Sequence, residues 1–100
     1  MDRLQQTICA LATPPGAIAV VRVSGPDAYP IVEKIFAPLH VGRRVAEAKG
    51  YTAMLGHYLL HGQEMDETIA LFFREPHSYT GEDVIELSVH GGTAMACLKL

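Results

Sequence analysis

No run of apolar residues in the sequence approaches the ~18 that a membrane span needs, so no transmembrane segment is predicted. Basic residues are few: eight Lys and Arg stand against eleven Asp and Glu, for a net charge of −3. A nucleic-acid grip made by this chain alone would show a basic stripe, and that balance argues against one. There are two cysteines, Cys9 and Cys97, and no C-x-x-C. Zinc ribbons and thioredoxin-like motifs are thereby excluded. The apolar neighbours of both cysteines predict buried, reduced thiols in a cytosolic protein. The first residues, MDRLQQTICALA, contain neither a long apolar core nor an Arg-rich, acid-poor stretch, so no secretory or transit leader is expected. Three catalytic signatures are also missing: G-x-x-x-x-G-K-[ST], H-E-x-x-H and G-x-S-x-G. Neither cysteine has an evident base partner, so no catalysis completed within this chain is expected.

The composition that remains is that of a folded domain. Apolar residues make up 49% and charged residues 19%, which excludes disorder. One hundred residues fit a single domain, taken as residues 1–100. Thr7 to Ala12 reads as a short strand stopped by Thr13-Pro14-Pro15-Gly16. Ala17 to Ser24 is a β-branched strand ended by Gly25-Pro26. From Pro26 to Phe36 the apolar residues recur at helical spacing, and Ala37 to Gly50 reads as a loop. Strands are predicted at Tyr51–Leu60, Glu67–Phe73 and Asp83–Val89, with a hairpin turn at His61-Gly62-Gln63-Glu64. Thr93 to Leu100 reads as the start of a helix. The expected order is β-β-α-β-β-β-α, an α+β domain. That last helix is short and uncapped, so the chain is expected to be a fragment that continues past Leu100.

Two charges stand out inside apolar strands. Arg22 lies between Val21 and Val23 and shares a face with Ile18 and Val20; Glu86 lies between Ile85 and Leu87 and shares a face with Val84 and Ser88. A charge in such a strand must be paired, reach water, or face a ligand. The spacing leaves these readings open. If a ligand is involved, a guanidinium fork and a carboxylate suit a polar heterocycle, whose adjacent N–H groups can bond two carboxylate oxygens. His90-Gly91-Gly92 is a second candidate, either an ordinary strand-to-helix turn capped by Thr93 or a backbone turn shaped around an anion. His57 and His61 are four apart, but on a strand they lack the geometry of helical metal ligands; a solvated sheet face is expected, and no metal site.

The order of several segments is recognisable. Ala12-Thr13-Pro14-Pro15-Gly16, then Val21-Arg22-Val23-Ser24-Gly25, then the long segment from Pro76 to Leu87 (PHSYTGEDVIEL), then His90-Gly91-Gly92 together resemble the amino-terminal domain of the MnmE (TrmE) family of tRNA modification GTPases. The resemblance covers nearly the whole chain. It implies a cytoplasmic, homodimeric domain similar in architecture to the folate-binding domains of glycine-cleavage aminomethyltransferases. It implies a tetrahydrofolate derivative as ligand, 5-formyl- or 5,10-methylene-tetrahydrofolate, bound near the subunit interface. Arg22 and Glu86 match the family's folate-contacting positions, and His90, Gly91 and Gly92 form a turn near the folate. A further folate-contacting lysine of the family would lie past Leu100. The resemblance also implies a flavin-dependent partner, with which the full-length protein modifies carbon 5 of the tRNA wobble uridine. GTP, Mg and K belong to the GTPase domain elsewhere in the family's chain.

Overall fold

A computed structural model describes residues 7–12, 18–76 and 81–90. The elements are β1 (Ile8–Leu11), β2 (Ile18–Ser24), α1 (Ala28–Ile35), β3 (Phe36–Pro38), β4 (Thr52–Leu60), β5 (Gln63–Phe73) and β6 (Val84–His90), with a 3₁₀ turn at Val45–Glu47 before β4. The six strands form one sheet in the order β1-β2-β6-β5-β4-β3. Every neighbouring pair is antiparallel. The result is a small, sheet-dominated domain with one helix among the described residues, in keeping with the α+β expectation.

Several bounds shift by one or two residues, β6 running Val84–His90 where Asp83–Val89 was expected, and three differences are larger in consequence. The helix stops at Ile35, because Phe36 is already extended (φ −139°, ψ 125°). Phe36, Ala37 and Pro38 then pair with Tyr58, His57 and Gly56, so the predicted loop opens with an edge strand. Three residues are too few to show a period of two, and proline is tolerated at a sheet edge. The third difference is at β5, which starts at Gln63 and not at Glu67. Its first turn of sequence is polar and solvated, and that hides it from a hydrophobic pattern. The hairpin itself is as expected but tighter: Leu60 faces Gln63, and His61 and Gly62 both have positive φ (52° and 80°). That is the signature of a two-residue type I′ turn. The register then slips between Tyr58 and Leu59, which face Asp66 and Glu64, leaving Met65 as the extra residue of a bulge. The helix expected from Thr93 lies outside the described residues, as does Cys97.

One face of the sheet is covered by α1. Asp27 precedes the helix, and its backbone N–H donates to Thr7 Oγ1 at 2.8 Å. Ala28, Tyr29 and Val32 point inward. They meet Val21 and Val23 of β2, Ile85 and Leu87 of β6, Ala70 and Phe72 of β5, and Tyr58 of β4, all buried. The rings of Tyr29 and Phe72 lie 5.8 Å apart. The Tyr29 hydroxyl donates to the Phe73 carbonyl at 3.3 Å, and the Arg74 guanidinium stacks 3.6 Å from its ring centroid. Burial raises the Tyr29 pKa; Arg74 opposes that shift and Asp83 adds to it. Gly56 leaves the space that the Phe36 ring fills: a Cβ there would sit 2.6 Å from Phe36 Cζ and collide with the Ala37 carbonyl.

The other face carries no helix among the described residues. Ile8, Ile18, Leu55, Ile69 and Leu71 are all exposed on it. Cys9, opposite Val23 and so on the helix side of the sheet, is also exposed, which corrects the expectation of a buried thiol. It lies on β1, a four-residue edge strand that is exposed over most of its length.

Candidate functional site

The two misplaced charges meet. Antiparallel pairing of β2 with β6 sets Arg22 directly opposite Glu86, on the face away from α1. Arg22 Nε donates to Glu86 Oε2 at 2.8 Å, and Nη2 lies 2.7 Å from the same oxygen. The side chains keep 31% and 19% of their surface exposed, so the pair is half-buried and reachable. Both donors converge on Oε2. Among the described residues Glu86 Oε1 accepts no hydrogen bond. A carboxylate with one oxygen engaged and one open can still accept from a donor approaching over the sheet.

Apolar ground surrounds the pair. Beside Arg22 a cleft of about 250 Å³ opens toward β1, walled by Ile8, Ala10 and Ala12 and closed by Ser24 and Glu82. Farther along the same face a shallow hollow of about 230 Å³ is lined by Ile18, Leu55, Ile69, Ser88 and His90. The charged pair therefore sits between two apolar depressions. Such walls, with a few polar anchors, suit a flat ligand that carries N–H groups on one edge.

His90 ends β6, and the structure gives it a partner that sequence reading missed. Asp66 Oδ2 accepts the His90 backbone N–H at 3.0 Å, and its two oxygens lie 2.5 and 2.6 Å from His90 Nδ1. Asp66 is nearly buried while the imidazole is exposed. The carboxylate fixes the ring so that Nε2 is the nitrogen left to face outward. Asp66 falls in the polar start of β5, between the expected turn at His61–Glu64 and the expected strand from Glu67; the bulge at Met65 is the feature that sets it apart. Gly91 and Gly92 lie outside the described residues. The structure brings Arg22 and Glu86 together. His90 is two strand steps along β6 from Glu86, with Ser88 between them, and does not touch the pair.

His57 is half-buried on β4, with Nδ1 3.9 Å from Glu64 Oε2. His61 sits in the hairpin turn. Among the described residues no cluster of His, Cys, Asp or Glu could hold a metal ion, and no helix is long and apolar enough to cross a membrane. Just before β6, Asp83 accepts the Glu75 N–H on Oδ1 at 2.9 Å and the Gly25 N–H on its carbonyl, also at 2.9 Å.

Comparison with known proteins bears on the family of the chain. The sequence pattern of the family described as GTP-binding protein TrmE N-terminus matches residues 7–99. The tRNA modification GTPase MnmE of Parabacteroides distasonis is 48% identical over 90 residues, 87% of this chain and 20% of that protein. MnmE of Chlamydia abortus is 49% identical over 88 residues, 86% of this chain and 19% of its own length. MnmE of Roseiflexus castenholzii is 48% identical over 89 residues, 86% of this chain and 18% of its own. The chain thus spans about a fifth of the length of these relatives. A match across nearly the whole sequence, at close to half identity, shows that this chain belongs to the TrmE N-terminal family, the amino-terminal domain of tRNA modification GTPases of the MnmE type.

Proposed function

We propose that this domain binds a reduced folate and joins two copies of a tRNA modification GTPase. The observation that carries the reading is the Arg22–Glu86 pair, half-buried on the uncovered sheet face with Glu86 Oε1 open. A pterin offers a ring N–H beside an exocyclic amine, which a carboxylate accepts, and a carbonyl oxygen, to which a guanidinium donates. The residues fit that group. Glu86 and Arg22 would hold the pterin, the apolar cleft beside β1 would cover its ring, and His90-Gly91-Gly92 would border it. The bound folate, as a 5-formyl- or 5,10-methylene derivative, supplies a one-carbon unit. Likeness to the folate domains of glycine-cleavage aminomethyltransferases belongs to the same proposal.

Dimerisation is supported by the uncovered face itself. Ile18, Leu55, Ile69 and Leu71 form an apolar surface that a second copy would remove from water, and the charged pair lies on that surface. In the cytoplasm the full-length protein would act with a flavin-dependent partner on carbon 5 of the tRNA wobble uridine. GTP, Mg and K would serve the GTPase domain of the longer chain.

A second reading is favoured by the closed geometry of the pair: Arg22–Glu86 is a structural ion pair within a dimerisation module that has no ligand site. Calorimetric titration with 5-formyltetrahydrofolate separates the two. The folate reading expects binding heat with wild type and at least a tenfold weaker affinity for Glu86→Ala, since losing one partner of a desolvated charged contact costs ~2–5 kcal/mol. Equal affinity of the two folded proteins, or no heat from wild type, leaves only the structural pair.

A further inference from the structure

We propose that the loop between β3 and β4 is a contact surface for the phosphate backbone of RNA. The proposal rests on the tRNA-modification reading for the identity of the RNA, but its site is separate from the folate site. Charge is unevenly spread in this acidic chain. Four of the eight Lys and Arg residues, and two of the eleven Asp and Glu, lie between Glu33 and Gly50. That stretch carries +2 and the rest of the chain −5. Lys34, Arg43, Arg44 and Lys49 are all exposed.

The loop is also held in shape, which an unanchored basic tail is not. Val45 and Ala48 are buried in the core. Arg74 reaches across from the end of β5 and donates to the Ala48 carbonyl at 3.0 Å and the Ala46 carbonyl at 2.8 Å. His40 accepts the Arg43 N–H at 3.2 Å, and Gly42 supplies the left-handed turn at φ 88°. These anchors carry Arg43, Arg44 and Lys49 along one groove of about 370 Å³. Glu47 is the acid in that groove, and Glu33 lies 3.6 Å from Arg44 at the helix side. The pairing with Glu33 is long and exposed, so it gives way to a stronger anion at little cost. Three cations on a fixed scaffold match the repeated, singly charged phosphates of a nucleic acid better than one compact anion. The groove is floored by Ala48 and Met54, which belong to the core on the helix-covered side of the sheet, so RNA held there leaves the uncovered face free.

The test uses the full-length natural protein and purified tRNA, with filter binding from 50 to 200 mM salt. The triple variant Arg43→Ala, Arg44→Ala, Lys49→Ala is compared with wild type and with Lys34→Ala. Circular dichroism and 5-formyltetrahydrofolate titration check that each variant keeps its fold and ligand site. The expected result is binding about tenfold weaker at 100 mM salt, with the slope of log K against log salt shallower by about 2, because each lost phosphate contact removes roughly 0.7–0.9 from it. Charge reversal, Arg43→Glu with Lys49→Glu, is expected to weaken binding further. Unchanged affinity and slope in a folded triple variant overturn the proposal. So does a defect confined to binding of the flavin-dependent partner protein, which would make the loop a protein contact. Loss of folate binding in Glu86→Ala with the salt effect intact separates the two sites; a salt effect in a protein that binds no folate upholds this surface and removes only the folate reading.

Discussion

Strand β2 contributes Ala19, Val21 and Val23 to one face of the sheet and Ile18, Val20, Arg22 and Ser24 to the other. The first three are sealed beneath α1, while Ile18 keeps 69% of its surface exposed. The two faces are similar in aliphatic content but not in cover. On the sealed face the buried polar side chain is Thr68. On the bare face the Arg22–Glu86 pair lies among exposed aliphatic side chains. Hydrophobicity alone therefore does not tell which side is the core of the monomer; the presence of Arg22 and Glu86 does, because charges among aliphatic side chains belong where a partner or ligand can reach them.

Substitution on each face sharpens the contrast. The largest effect is expected from Leu87→Ala on the sealed side, about 2–5 kcal/mol of lost stability by chemical denaturation. Ile69→Ala on the bare side, at protein concentrations low enough to hold the monomer, is expected to change stability by less than about 0.5 kcal/mol. Equal losses would mean that the bare face is packed even in the monomer. A smaller effect of opposite sign is expected from Thr68→Val. Thr68 Oγ1 is buried without a hydrogen-bond partner among the described residues, and it faces Gly56 across the ladder. Replacing that hydroxyl by a methyl is expected to stabilise the fold by roughly 1 kcal/mol, read from the denaturation midpoint.

A last effect concerns Tyr29 and alkaline pH. Its folded pKa is raised, chiefly by burial, so below the unfolded value near 10 both states hold the proton and stability is unaffected. Above that value the unfolded chain releases the proton first, and stability falls as pH climbs toward the folded pKa. Denaturation from pH 8 to 12 is expected to show this decline in wild type and a flatter profile in Tyr29→Phe. The variant also loses the bond to the Phe73 carbonyl, so its profile starts lower at pH 8 by about 1 kcal/mol.

Much of this was legible in residues and some was not. The alternation around Arg22 and Glu86 placed both on one side of their strands, and the ladder bore that out. Which residue lies across from which is set by pairing geometry, and no single strand carries that information. β3 escaped notice because Phe36 continues the helical spacing while its backbone has already turned. Asp66 escaped because its role depends on an extra residue at Met65 and on a strand end 24 positions away. Cys9 read as buried from its neighbours, but a strand at the rim has only one side to lean on. The basic residues from Lys34 to Lys49 were visible as letters; only the anchoring by Arg74, Val45 and Ala48 makes them a surface.

The opposition of Arg22 and Glu86 also has a bearing on assembly of the chain. Sliding β2 past β6 by one position would turn a guanidinium toward Phe72 and Leu87; sliding by two would leave each ion beside Val20, Ser24, Val84 or Ser88 with its counter-charge out of reach. The pair is thus an alignment key between strands sixty residues apart in sequence, and a chain that lacks it has less reason to choose this threading over its neighbours.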